Sequence, residues 1–130
     1  MSDNKNLFDE EPVHSYTRFQ ALQDGVLIDL NQYIPVMQSG YRYPIACTAA
    51  VFAIIDRACK NKKFHNDYSG VVWDILWMSR TSPLKKWDSG RLFQVIINGA
   101  GKKTIYNLKL EVSGGDDGEP VLTIMLPNED

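Results

Sequence analysis

The apolar positions of this chain change period along its length. Val51, Phe52, Ile54, Ile55, Ala58 and Cys59 recur at the i, i+3, i+4, i+7 spacing of a helix with one wide buried face. Thr48 stands where an N-cap is needed, and Arg57, Lys60, Lys62 and Lys63 close the helix at the end whose dipole favours cations. Upstream, Thr17 and Gln20 have the Thr-x-x-Gln spacing of a capping box. They predict a short helix that packs through Phe19 and Leu22 and stops at Gly25. Val26–Leu30 reads as a short strand or an extended link, and Asn31–Gln38 as a turn or two of helix in spite of Pro35. Tyr41–Pro44 is extended, because the residue before a proline is pushed out of the α region. Tyr68–Arg80 is apolar on nearly every side, the pattern of a helix buried on more than one face. It is therefore expected at the centre of the fold, ending before Pro83.

The last third changes to a period of two. Leu92–Ile97 is a β-branched and aromatic run, and Asn98–Gly101 is a turn. Tyr106, Leu108, Leu110 and Val112 then alternate with Ile105, Asn107, Lys109 and Glu111. A Gly/Asp-rich turn over Ser113–Pro120 leads to a third strand, Val121–Leu126, closed by Pro127. Short connections imply an antiparallel meander. The fold expected is α+β: three or four helices followed by a three-stranded antiparallel meander, with the helices packed on one face of the sheet. Residues 1–13 are expected to be a mobile acidic arm and residues 14–130 a single domain.

Composition narrows the class. The 130 residues are 44% hydrophobic and 23% charged, which excludes a disordered or collagenous chain. The net charge of −2 argues against both an obvious nucleic-acid binder and a DNA mimic, but it hides a segregation. His14–Leu110 carries 13 bases against 6 acids, whereas the residues from Glu111 onward hold six acids and no base. A basic body thus lies between two acidic ends. Cys47 and Cys59 belong to no C-x-x-C or Cys/His cluster, so neither a zinc site nor a disulfide framework is expected. No uncharged run reaches the roughly 18 residues of a membrane span, and the chain reads as cytoplasmic with no membrane partner.

Few residues carry a chemical signal. Asp74 is the only acid between Val71 and Met78, and a desolvated carboxylate there is a catalytic candidate; the alternatives are an ion pair with Arg42, Arg80 or Arg91, or a solvent-facing position. His14, just before the first helix, and Asp29 are weaker candidates for the same chemistry. His65 sits in a Lys/Asn-rich loop and reads as solvated. Gly114–Pro120 holds three carboxylates but lacks the ligand order of a calcium loop, and Asn98–Lys103 lies between strands rather than leading into a helix as a P-loop must. No motif calls for a cofactor or a metal. Arg57, Lys60, Lys62 and Lys63, then Arg80, Lys85, Lys86 and Arg91, then Lys102 and Lys103 form three basic stations. Tyr41, Tyr43, Phe64 and Trp87 are near them in sequence, a combination that suits single-stranded nucleic acid if the stations share a face.

Three segments carry a family likeness: Tyr16-Thr17-Arg18 through Asp24-Gly25-Val26-Leu27 to Asp29-Leu30, then Trp73-Asp74 with Leu76-Trp77-Met78, then Gly115-Asp116-Asp117-Gly118-Glu119-Pro120 through Thr123-Ile124-Met125-Leu126-Pro127 to Glu129-Asp130. In these the chain resembles an uncharacterised family of small bacterial proteins, a domain of unknown function often encoded on plasmids, phages and other mobile elements. The resemblance implies a setting and no catalytic residue. Small proteins of that setting often act by binding a host protein, so a non-catalytic inhibitor or adaptor with a protein partner is the first reading. A nucleic-acid-binding accessory protein is the second, and a small hydrolase or nuclease centred on Asp74 the third.

Overall fold

The computed structural model describes residues 16–129; the acidic arm at residues 1–13 and the candidate His14 lie outside them. Helix α1 (Arg18–Gln23) opens on the expected capping box: Thr17 Oγ1 accepts from the Gln20 N–H at 3.0 Å, and Gln20 Oε1 accepts from the Thr17 N–H at 2.9 Å. Strand β1 (Leu27–Asp29) follows, then two short 3₁₀ turns, Leu30–Gln32 and Val36–Gln38, one on each side of Pro35. Strand β2 (Ile45–Thr48) runs directly into α2 (Ala49–Lys60), where Thr48 is the N-cap and accepts from the Val51 N–H. Helix α3 (Tyr68–Thr81) is capped by Asp67. Four strands complete the described chain: β3 (Pro83–Trp87), β4 (Gly90–Ile96), β5 (Ile105–Gly114) and β6 (Pro120–Met125).

These strands form one six-stranded sheet in the order β1-β2-β6-β5-β4-β3. The expected three-stranded antiparallel meander is thereby corrected. The pairs β4/β5 and β5/β6 are antiparallel as read from the alternation, but β2 adds in parallel to β6, with Ile45 opposite Leu122 and Cys47 opposite Ile124. The sheet is mixed, and three α-helices accompany it among the described residues. β2 escapes the sequence because it has four residues, of which Ile45, Ala46 and Cys47 are all buried, so it shows no alternation to read. β3 escapes because it opens on a proline and carries two lysines, the composition of an edge strand.

The core lies between α2 and α3 and one face of the sheet. Val51, Ile54, Ile55 and Ala58 of α2 and Val72, Ile75 and Leu76 of α3 meet Phe93, Val95, Leu108, Leu110, Leu122 and Ile124. Two further expectations are corrected here. Helix α1 does not join the other two: its Arg18 guanidinium reaches the Thr123 hydroxyl at 2.9 Å, and Thr123 points away from Leu122 and Ile124, so α1 covers the opposite face near β6. It buries Ala21 and leaves Phe19 exposed. Helix α3 is not enclosed on several faces either. Trp73 and Trp77, one turn apart, are 40% and 46% exposed and stack on each other at 6.0 Å.

The opposite face of the sheet is covered unevenly. At the β6 end it is closed by α1 and by Glu129, whose carboxylate accepts from the Thr48 hydroxyl and the Leu126 N–H, both at 2.8 Å. At the β4 end the cross-strand pair Ile96 and Ile105 is bare, 64% and 52% exposed.

Candidate functional site

Asp74, Trp77 and Met78 of α3 and Gln94, Val95 and Ile96 of β4, together with Ile105, enclose a groove of about 330 Å³. Its existence follows from the sequence at the end of α3. That helix stops at Thr81, and the chain enters β3 at Pro83, which has no N–H for a ladder. β3 pairs Trp87, Lys86 and Lys85 with Gly90, Arg91 and Leu92, then breaks register between Lys85 and Pro83. Beyond Phe93, no strand among the described residues lies along the outer side of β4, the side away from β5.

The phase of the ladder decides which backbone groups are left over. The Ile97 N–H donates to Thr104 O at 2.9 Å, and in an antiparallel pair the bonded and non-bonded positions alternate. Ile97, Val95 and Phe93 therefore turn their amide and carbonyl groups toward β5. Gln94 and Ile96 turn theirs outward. Pro83 has no N–H and Phe93 faces β5, so their pairing is closed through neighbouring residues and directs the Gln94 N–H at Ser82; Ile96 opens into the groove, where β3 does not reach.

The side-chain walls are apolar except at one point. Asp74 stands exposed on the α3 wall, and loss of solvation there raises its carboxyl above the ordinary value of 3.8. It makes none of the ion pairs the sequence allowed. Arg80 lies over the Trp77 ring, 5.0 Å from its centroid, and Arg91 donates to Ser79 O at 3.2 Å; the salt bridges among the described residues are Lys60 with Asp56 and Lys109 with Glu111. The carboxylate is thus the one charged group of a mostly apolar groove, without a cation of its own.

The other sequence candidates do not converge on Asp74. Asp29 caps the first 3₁₀ turn by accepting from the Asn31 N–H at 2.8 Å, and it belongs to the edge strand β1, at the far side of the sheet from α3's groove. Asp116 accepts from the backbone N–H groups of Arg18 and Phe19. Among the described residues no three metal-ligating side chains gather. Burial pushes the Cys47 thiol up to about 12 and raises the Cys59 thiol as well, which keeps both from serving as thiolate nucleophiles near neutrality.

Two of the three basic stations do come together. Arg57 donates from Nε to Ala100 O at 3.0 Å, Asn61 donates to Gly99 O at 3.1 Å, and Phe64 packs on Gly99, so the end of α2 and the loop after it rest on the β4–β5 turn. Arg57, Lys60 and Lys102 line one shallow hollow there with Phe64; Lys62 and Lys63 are on the same loop, and Lys103 sits 5.3 Å over the Tyr106 ring. The acidic β5–β6 turn is at the opposite end of β5 and does not cover them. Arg80 and Arg91 belong elsewhere, around Trp77 and Ser79.

Sequence reasoning singled out Asp74 but missed Trp77, Met78, Ile96 and Ile105, which make the groove. The available signal was the all-round apolarity of Tyr68–Arg80: a helix apolar on every side either is buried on every side or presents a surface for something else.

A model of a family of unknown function, DUF6573, matches residues 4–130. No curated protein matches the chain, and no solved structure does.

Proposed function

The chain belongs to this family of unknown function, and we propose that it is a non-catalytic protein-interaction module, an inhibitor or adaptor, that receives its partner in the groove between α3 and β4. The observation that carries this reading is the exposure of Trp77, Ile96 and Ile105 around one concave, mostly apolar surface, with the exposed Trp73 stacked on Trp77 beside it. Single exposed apolar residues are ordinary on a soluble protein; a stacked tryptophan pair beside two exposed isoleucines is an apolar patch of the kind that marks a binding surface. Tryptophan is also over-represented among residues whose loss costs an interface most. Both cysteines are free, and no described helix is long and apolar enough to cross a membrane. A cytoplasmic setting, expected from the sequence, suits the reading. So does the mobile-element setting that the resemblance implies.

Panning a random-peptide display library against the full chain tests it. Enriched binders should lose roughly tenfold or more in affinity on Trp77→Ala and on Ile96→Asp, and keep it on the paired reversal Lys62→Glu/Lys63→Glu. Binders indifferent to both groove substitutions would overturn the reading.

A nucleic-acid-binding accessory role is the second reading. It is favoured by the hollow that brings Arg57, Lys60 and Lys102 beside Phe64. A labelled single-stranded oligonucleotide in the same assay separates the two: this role requires salt-sensitive binding that the Lys62→Glu/Lys63→Glu chain loses.

A further inference from the structure

Building on the groove as the docking site, we propose that the partner enters it as an added β-strand: an extended segment of another protein pairs with the β4 edge at Gln94 and Ile96 and sets a lysine or arginine against Asp74.

The backbone argues for a strand. Ile96 turns a donor and an acceptor outward, and Gln94, two residues back, an acceptor, the i, i+2 spacing that an incoming strand matches; an arriving helix has no free backbone groups to meet them. The treatment of the neighbouring edge sharpens the point. Natural sheets blunt exposed edges with proline, lysine and bulges, and β3 has all three in Pro83, Lys85, Lys86 and its break in register. The adjoining stretch of β4 has none of them. It offers Gln94 and Ile96, with Ile105 across the ladder.

The side chains then specify what the segment carries. Successive residues of an added strand face opposite ways. One set would lie along the bare Ile96–Ile105 row, and the other would face Trp77, Met78 and Asp74, so apolar residues are required on both sides with one base among the second set. The base answers the carboxylate that has no cation among the described residues, since Arg80 is stacked on Trp77 and Arg91 is bonded to Ser79 O. A second copy of the chain fits worse. Pairing β4 with β4 would bring two α3 helices to one seam, each with its Asp74 and neither with a base to meet it.

The test is an NMR titration of the full chain with an acetylated, amidated peptide of about six residues, valine and isoleucine around a central lysine, at roughly millimolar concentration. Two counterparts accompany it, one with glutamate for lysine and one N-methylated at the backbone nitrogens that would face β4. The lysine peptide should shift the Gln94 and Ile96 amides and slow hydrogen exchange at Ile96 roughly tenfold. The glutamate peptide should bind about fivefold more weakly, and Asp74→Asn should abolish that difference. N-methylation should abolish binding, a result that depends on no variant of the protein. Binding within the groove that leaves Ile96 exchanging freely and tolerates N-methylation would overturn strand addition while leaving the groove reading intact. Absence of any shift in the groove would overturn both.

Discussion

Phe93→Ala is expected to destabilise the chain by about 3–5 kcal/mol. Phe93 has no exposed surface and is the largest side chain enclosed between α3 and the sheet, directly opposite Leu108 on β5. Truncation removes the favourable transfer of its ring and leaves a cavity that β4 cannot close, because β4 is tied to β5 on one side and to β3 on the other up to this residue. A domain of this size is stable by about 5–15 kcal/mol, so the loss is a large fraction of the whole. Urea unfolding should show a lower midpoint with an unchanged slope, and the melting temperature should fall by roughly 10–20 °C. A loss below about 1 kcal/mol would mean that α3 does not pack on β4 as described.

Gly40→Ala is expected to cost about 2–4 kcal/mol, from two sources that can be separated. Gly40 has φ of +85°, where a side chain is strained, and a Cβ built there would be 2.1 Å from Arg80 Nε and 2.6 Å from its Cζ. Arg80 cannot simply swing aside: its Nε is buried, and its guanidinium lies over Trp77. Removing the obstacle should restore part of the loss. In the cycle with Arg80→Ala, the two substitutions should show a favourable coupling of about 1–2 kcal/mol, leaving mainly the backbone strain. Additive effects would show that the close approach of Gly40 to Arg80 carries no energy. Because Arg80 also covers Trp77, Gly40→Ala should alter tryptophan emission in the folded state.

Local signals were legible wherever they were complete within a few residues. The capping box at Thr17 and Gln20, the N-cap at Thr48 and the alternation of Tyr106, Leu108 and Leu110 all appear as read. What was not legible depended on distant partners. Ile45–Thr48 becomes a strand because β6, some 75 residues later, lies in register beside it. Pro83–Trp87 pairs with β4, the next strand in the chain, and was hidden instead by its proline and two lysines. The site was hidden by distance. Asp74 stands out in any reading of the chain, but its surroundings come from β4 and β5, and only the fold shows that Ile96 and Ile105 face outward while Val95 and Tyr106 face the core.

The charge segregation also takes a definite form. Glu129 is held by Thr48 and Leu126, and Asp116 by the start of α1, so much of the acidic C-terminal region is committed to the β1–β2–β6 end of the sheet. The basic cluster at Lys62, Lys63 and Lys102 lies at the other end of β5 from the Asp116 turn, about 30 Å along that strand. The described C-terminal acids therefore do not neutralise it, and the low net charge is no argument against a polyanion there. The groove, by contrast, holds a single unpaired carboxylate, which selects for a cationic segment and against nucleic acid. The two surfaces are distinct in place and in sign.

Amide hydrogen exchange in the free protein tests the open edge of β4 most directly. Val95 and Ile97 should be strongly protected, because their N–H groups are committed to Tyr106 and Thr104 in the ladder, whereas Ile96 between them should exchange roughly a hundredfold faster or more. Uniform protection across Val95–Ile97 would contradict the account, since it would mean that the edge is already closed.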